Sequence, residues 1–142
     1  MKKIKSALVI SDNIIVLQEM KRMLANLEIK HVFEAYDSDS GLKSAKKYQP
    51  DYTFIDMDLG KNSSLKTLEL IESKTSTRII LMEKKCVLKN EILTNSKYTL
   101  LEKPVTLNRL NDIVHPNLSF AALLQEARKL VKEESVATMF QI

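Results

Sequence analysis

Short apolar runs alternate with apolar stripes at helical spacing along most of this chain. Ile4 to Ile10 has the character of a strand buried on both faces, and Ser11-Asp12-Asn13 stops it with residues that cap helices. From Ile14 to Leu27, the positions Leu17, Met20, Leu24 and Leu27 recur at intervals of three and four with Gln18, Lys21 and Arg22 between them, which predicts an amphipathic helix. Val32 to Tyr36 predicts a second strand. Asp37-Ser38-Asp39-Ser40 then offers caps to a helix carrying Leu42, Ala45 and Tyr48, which Pro50 ends. Tyr52 to Ile55 predicts a third strand, followed by a polar loop, GKNSS, and a helix bearing Leu65, Leu68, Leu70 and Ile71. Arg78 to Met82 predicts a fourth strand, Val87 to Leu93 a weaker helical segment, and Tyr98 to Leu101 a fifth strand closed by Glu102-Lys103-Pro104. Thr106 caps a helix holding Leu107, Leu110 and Ile113.

Strand followed by helix, five times over, requires right-handed crossovers and a parallel sheet. The expected architecture is a doubly wound α/β fold with a five-stranded parallel sheet and helices on both faces. Ligands of such sheets sit outside the carboxyl ends of the strands, where strand order switches. Asp12, Asp56, Glu83 and Lys103 all fall at such ends. Residues 1–115 complete this domain. Residues 116–142 form an extension in which Ser119 caps a helix with Phe120, Leu123, Leu124, Ala127, Leu130 and Val131 on one stripe. That stripe either folds back on its own domain or meets a partner, a second copy of the chain included.

Composition narrows the field. The chain has 142 residues, 44% apolar and 28% charged, which suits one globular domain. Its longest apolar runs are too short to cross a bilayer or to serve as a signal peptide, so neither a membrane span nor secretion is expected. The single Cys86 has no cysteine partner in the chain and reads as a small packing residue. A cytoplasmic location follows as the expectation. The net charge of +4 raises nucleic acid as a partner. Its lysines, however, are scattered, arginine is scarce and no base-reading motif is present, so no nucleic-acid binding is expected. Only Gly41 and Gly60 occur, which leaves no glycine-rich phosphate loop and disfavours a nucleotide cofactor.

The chemistry concentrates in FIDMDLG, residues 54–60, with two carboxylates separated by one residue at a strand end. Asp56 is read as a phosphoryl acceptor, as a hydrolytic nucleophile, or as a polar strand end. An acceptor needs a divalent cation and a flanking positive charge. Asp12 and Asp56 are candidate Mg²⁺ ligands, the Asp58 carbonyl is a third oxygen, and Lys103 is the flanking cation. A hydrolase of the haloacid dehalogenase type also uses an Asp-x-Asp pair, one carboxylate as nucleophile and the next as acid or base. Such a pair ends the first strand of its domain, whereas this one ends the third. His31 and His115 have no partner at relay spacing, Asp51 falls at the opposite edge of the sheet, and Met20 and Met23 read as core fillers.

Through LVISDN, EAYDSDSGLKSA, PDYTFIDMD and LLEKP, in that order, the stretch from Lys3 to Val114 resembles the receiver domain of two-component response regulators. The resemblance implies a flavodoxin-like receiver fold and no enzymatic activity of its own. It makes Asp56 the phosphoacceptor, Asp12 a direct metal ligand, Asp58 a ligand through its backbone, and Lys103 the conserved-type lysine, followed by a cis Pro104. A sensor histidine kinase or another signalling protein would be the partner.

The departures are informative. Ser11 stands where the family has a second acid, which implies weakened Mg²⁺ binding. Glu83 aligns with the switch hydroxyl at the end of the fourth strand, where a carboxylate would repel phosphoryl oxygens and could pair with Lys103 instead. Leu100 takes the place of the switch aromatic, and Tyr98 falls two residues early. The expectation is an atypical receiver acting through protein contacts. Its alternative is a phosphorylation-independent adaptor, with the phosphohydrolase a distant third. The extension is too short for a winged or three-helix DNA-binding module, so output is expected through another protein or through a homodimer formed by the carboxyl-terminal helix.

Overall fold

The structure, a computed structural model, describes residues 5–58, 61–84, 98–116 and 124–130. Contacts divide the chain into two compact units, Met1–Val105 and Thr106–Ile142.

The first unit holds strands β1 (Ser6–Ile10), β2 (His31–Ala35), β3 (Tyr52–Asp56), β4 (Arg78–Lys84) and β5 (Thr99–Lys103), with helices α1 (Ile14–Asn26), α2 (Ser38–Tyr48) and α3 (Lys61–Lys74). All neighbouring strands pair in parallel in the order β2-β1-β3-β4-β5. The reversal of order beside β1 places α1 on one face and α2 with α3 on the other, since right-handed crossovers that travel in opposite directions cover opposite faces. Side chains alternate between those faces. Leu8, Ile10, Ile55, Ile79 and Leu81 pack with Ala45, Leu68 and Ile71 on the α2/α3 side, while Ala7, Val9, Phe54, Ile80 and Met82 are buried at the alternate positions. Helix α1 buries Leu17, Met20 and Leu24, three and four residues apart as its sequence foretold.

Local chemistry fixes the helix starts. The Asn13 side chain accepts from the amides of Ile15 and Val16. Asp37 and Ser40 exchange hydrogen bonds in a capping box, which also draws the Asp37 pKa below its ordinary value, chiefly through the Ser40 amide. Gln49 ends α2 in the left-handed region at φ 45°, just ahead of Pro50. At the amino-terminal edge of the sheet, Asp51 accepts from the Ser6 amide at 2.9 Å, the structural role its position suggested.

Several expected boundaries move. The GKNSS segment is not a loop throughout, because α3 starts at Lys61. Strand β4 runs to Lys84 and β5 to Lys103, two residues further than their apolar runs suggested, with Glu83 opposite Glu102 and Lys84 opposite Lys103. The helical segment expected from Val87 to Leu93 lies outside the described residues, as does Cys86.

In the second unit, α4 (Leu107–Val114) is capped by Thr106, whose side chain accepts from the Arg109 amide. Residues 124–130 are helical, with Leu124 and Leu130 exposed. Ser119, Phe120, Leu123 and Val131 of the expected stripe lie outside the described residues.

Candidate functional site

The site is built where β1, β3 and β5 end. Asp56 closes β3 and is 1% exposed, so its carboxylate must find partners within the protein. It finds three. The amide of Asp58, in the turn that follows, donates to Oδ1 at 3.0 Å. The Lys103 ammonium donates to the same oxygen at 2.5 Å. The hydroxyl of Ser11, fully buried, donates to Oδ2 at 2.6 Å. Ser11 is itself fixed by the turn into α1, where its hydroxyl accepts from the Asn13 amide at 3.1 Å. The Asp56 carbonyl accepts from the Ser64 hydroxyl at 3.1 Å, which ties the strand end to the first turns of α3.

Lys103 ends β5 ahead of a cis peptide bond to Pro104. Its ammonium bridges two carboxylates, Asp56 and, at 2.8 Å, Oδ2 of Asp58. Burial pulls the lysine's pKa down, but its hydrogen bonds to Asp56 and Asp58 and their charges outweigh burial and raise it. The ammonium is therefore held in its charged form.

The remaining candidates are arranged differently. Asp12 is exposed and lines a cavity of about 400 Å³ with Tyr36, Asp37, Asp39 and Lys66. Glu83 is buried, at 5% exposure, but it is not the partner of Lys103. Alternation along β4 and β5 explains this: Asp56 pairs across the sheet with Met82 and Met82 with Leu101, so Glu83 and Lys103 leave their strands on opposite faces. Leu100 packs against the α2/α3-side core, as does Tyr98, whose hydroxyl donates to Glu72. Burial and that contact push the Tyr98 phenol up to about 12. His31 is exposed at the start of β2 and His115 caps the end of α4.

Sequence reasoning anticipated Asp56 beside Lys103. It missed the Ser11 hydroxyl as a donor, the Asp58 side chain as a lysine anchor, and Ser64. A buried serine after an apolar strand and opposite an aspartate is the signal for the first; the other two have no signal short of the fold.

Residues 7–115 match the family described as the response regulator receiver domain, and the chain belongs to that family. It is 24% identical over 106 residues to an uncharacterized response regulatory protein of Vibrio cholerae serotype O1, a match that takes in 74% of this chain. The chain spans 45% of the length of that relative. Among solved structures, a CheY-like response regulator receiver domain from Methylobacillus flagellatus superposes with a TM-score of 0.70 at 18% identity, over 80% of this chain and 98% of that one. The receiver domain of a Saccharomyces cerevisiae response regulator, solved with its histidine phosphotransfer signaling protein, gives 0.65 at 17% identity, over 77% and 85% of the two chains. The protein is thus a receiver domain of two-component signalling, with the five-stranded doubly wound fold of that class. No helix among the described residues is long and apolar enough to cross a membrane.

Receiver domains bind Mg²⁺ in their acidic pocket. The ion wants oxygen ligands near 2.0–2.1 Å in an octahedron completed by water. The residues here do not fit that ion as they stand. An ammonium lies on the Asp56 oxygen, the second acid is a serine, and the described residues contain no group of three His, Cys, Asp or Glu side chains placed to hold a metal.

Proposed function

We propose that this receiver relays a two-component signal through protein contacts, with Asp56 as its phosphoacceptor and a histidine-bearing kinase or phosphotransfer protein as donor. The observation that carries the reading is the Asp56 carboxylate, set at the sheet's carboxyl edge with a charged lysine on one oxygen. Oδ1 already accepts from two donors and Oδ2 from Ser11 alone, so Oδ2 keeps the more available lone pair. In the transfer, that oxygen bonds to phosphorus while the phosphorus–nitrogen bond of the donor's phosphohistidine breaks, and the imidazole leaves with the electron pair. Lys103 offsets charge on the phosphoryl oxygens. The domain catalyses no turnover of its own. The ion pair of Asp58 with Lys103 supports this reading over the haloacid dehalogenase type, whose second aspartate serves as acid or base.

A second reading, the phosphorylation-independent adaptor, is favoured by the closure of the site. Asp56 is 1% exposed, with both oxygens engaged, and the buried Glu83 and the aliphatic Leu100 hold the positions of the family's switch. Treatment of the full chain with acetyl phosphate, then borohydride reduction of any acyl phosphate and peptide mass mapping, separates the two. Conversion of Asp56 to homoserine supports the acceptor; recovery of unmodified Asp56 from folded protein supports the adaptor.

A further inference from the structure

We infer that the Lys103 ammonium is the resident cation of this acidic site, held by Asp56 and Asp58 where the family places a divalent metal, so that Mg²⁺ gains access only when the lysine is released. The inference rests on the reading of Asp56 as the centre of the site.

The geometry sets up a direct competition. Lys103 Nζ stands 2.5 Å from Asp56 Oδ1 and 2.8 Å from Asp58 Oδ2. A divalent ion bonded to that same Oδ1 at about 2 Å would lie within a few ångströms of the ammonium, two like charges in a site with little solvent to screen them. Charge count points the same way. Asp56 and Asp58 supply two negative charges and Lys103 offsets one, whereas the family's additional carboxylate is here the neutral Ser11. Ser11 also spends its hydroxyl proton on Oδ2, the other oxygen a metal could take. Asp12, the acid that follows β1, lines the cavity beside α2 with no ion pair among the described residues, and Glu83 and Glu102 leave β4 and β5 on the face opposite Lys103.

Asp58 gives the inference its sharpest consequence. Its side chain is 37% exposed and serves as an anchor for the lysine. Were that carboxylate a metal ligand, its loss would weaken Mg²⁺ binding; as the lysine's anchor, its loss strengthens it.

The test is a titration of the full chain with MgCl₂ at constant ionic strength, followed through the amide shifts of Asp12, Met57 and Asp58. In the parent, the shifts are expected to climb without saturating through about 10 mM. Asp58→Asn is expected to tighten binding about threefold, and Lys103→Met about tenfold or more. Saturation of the parent near 1 mM or below would overturn the inference, as would weaker binding by Asp58→Asn. Should Lys103→Met fail to fold, the exposed Asp58→Asn substitution still decides the sign. The titration reads cation binding whether or not Asp56 ever carries a phosphoryl group, so failure of the acceptor assay leaves this result standing, and the reverse also holds.

Discussion

Removal of the Lys103 ammonium should cost this domain a substantial part of its stability. Asp56 is 1% exposed and the Lys103 side chain 15%, so the pair is removed from solvent and breaking it strands a carboxylate. Loss of one partner from a buried pair typically costs about 3–5 kcal/mol. Because Asp56 would keep the Ser11 hydroxyl at 2.6 Å and the Asp58 amide at 3.0 Å, the lower end applies, about 3 kcal/mol for Lys103→Met. With a urea dependence of about 1.5 kcal/mol per molar, the unfolding midpoint should fall by about 2 M. Asp56→Asn supplies the control. Once the buried charge is gone, Lys103→Met in that background should cost under about 1 kcal/mol, a coupling of about 2 kcal/mol across the double-mutant cycle. The assay is urea unfolding followed by far-ultraviolet circular dichroism on the four proteins. A cost below about 1 kcal/mol in both backgrounds would place the pair among solvent-screened surface ion pairs and refute the closed-site argument.

Other expectations concern the frame of the site. A Cβ on Gly41 would lie 2.6 Å from Cδ1 and 3.0 Å from Cγ1 of Ile10, so Gly41→Ala should destabilise by about 1 kcal/mol, overpacking exceeding the gain in helix propensity, as thermal unfolding would show. Asp37→Ala removes the capping box of α2 and should cost about 1 kcal/mol in the same experiment. One of the four tyrosines should titrate near 12 in a phenolate absorbance titration, and Tyr98→Phe should abolish that step. The sign is set by the neutral form. The folded phenol keeps its proton above the ordinary value of 10.0, so Tyr98 contributes stability below that pH and loses it as pH rises towards 12.

The order of elements was legible because apolar runs of strand length alternated with helical stripes, and the caps at Asn13, Asp37 and Thr106 work as their residue types indicate. What was misread carries charge or weak propensity. Glu83-Lys84 and Glu102-Lys103 looked like strand exits, yet the ladder continues through them, since strand ends at the site edge tolerate charge. Asn62, Ser63 and Ser64 are poor helix formers, and they nonetheless begin α3, with Ser64 bonded to the Asp56 carbonyl. At the site, position alone pointed to Asp56 and Lys103. Ser11 looked like a loss because an acid was expected there, and only the folded geometry reveals its hydroxyl as a donor to Asp56. The option of a Glu83–Lys103 pair failed on strand parity, which is set by the β4–β5 register: Glu83 lies opposite Glu102 and Lys103 opposite Lys84, a pairing that appears only once the strands are aligned in the sheet.

The acceptor assignment is tested most directly by intact-protein mass after incubation with acetyl phosphate, with the parent run beside Asp56→Asn. The parent is expected to gain one phosphoryl group and the variant none. An equal gain in both, or none in a parent confirmed as folded, would contradict it.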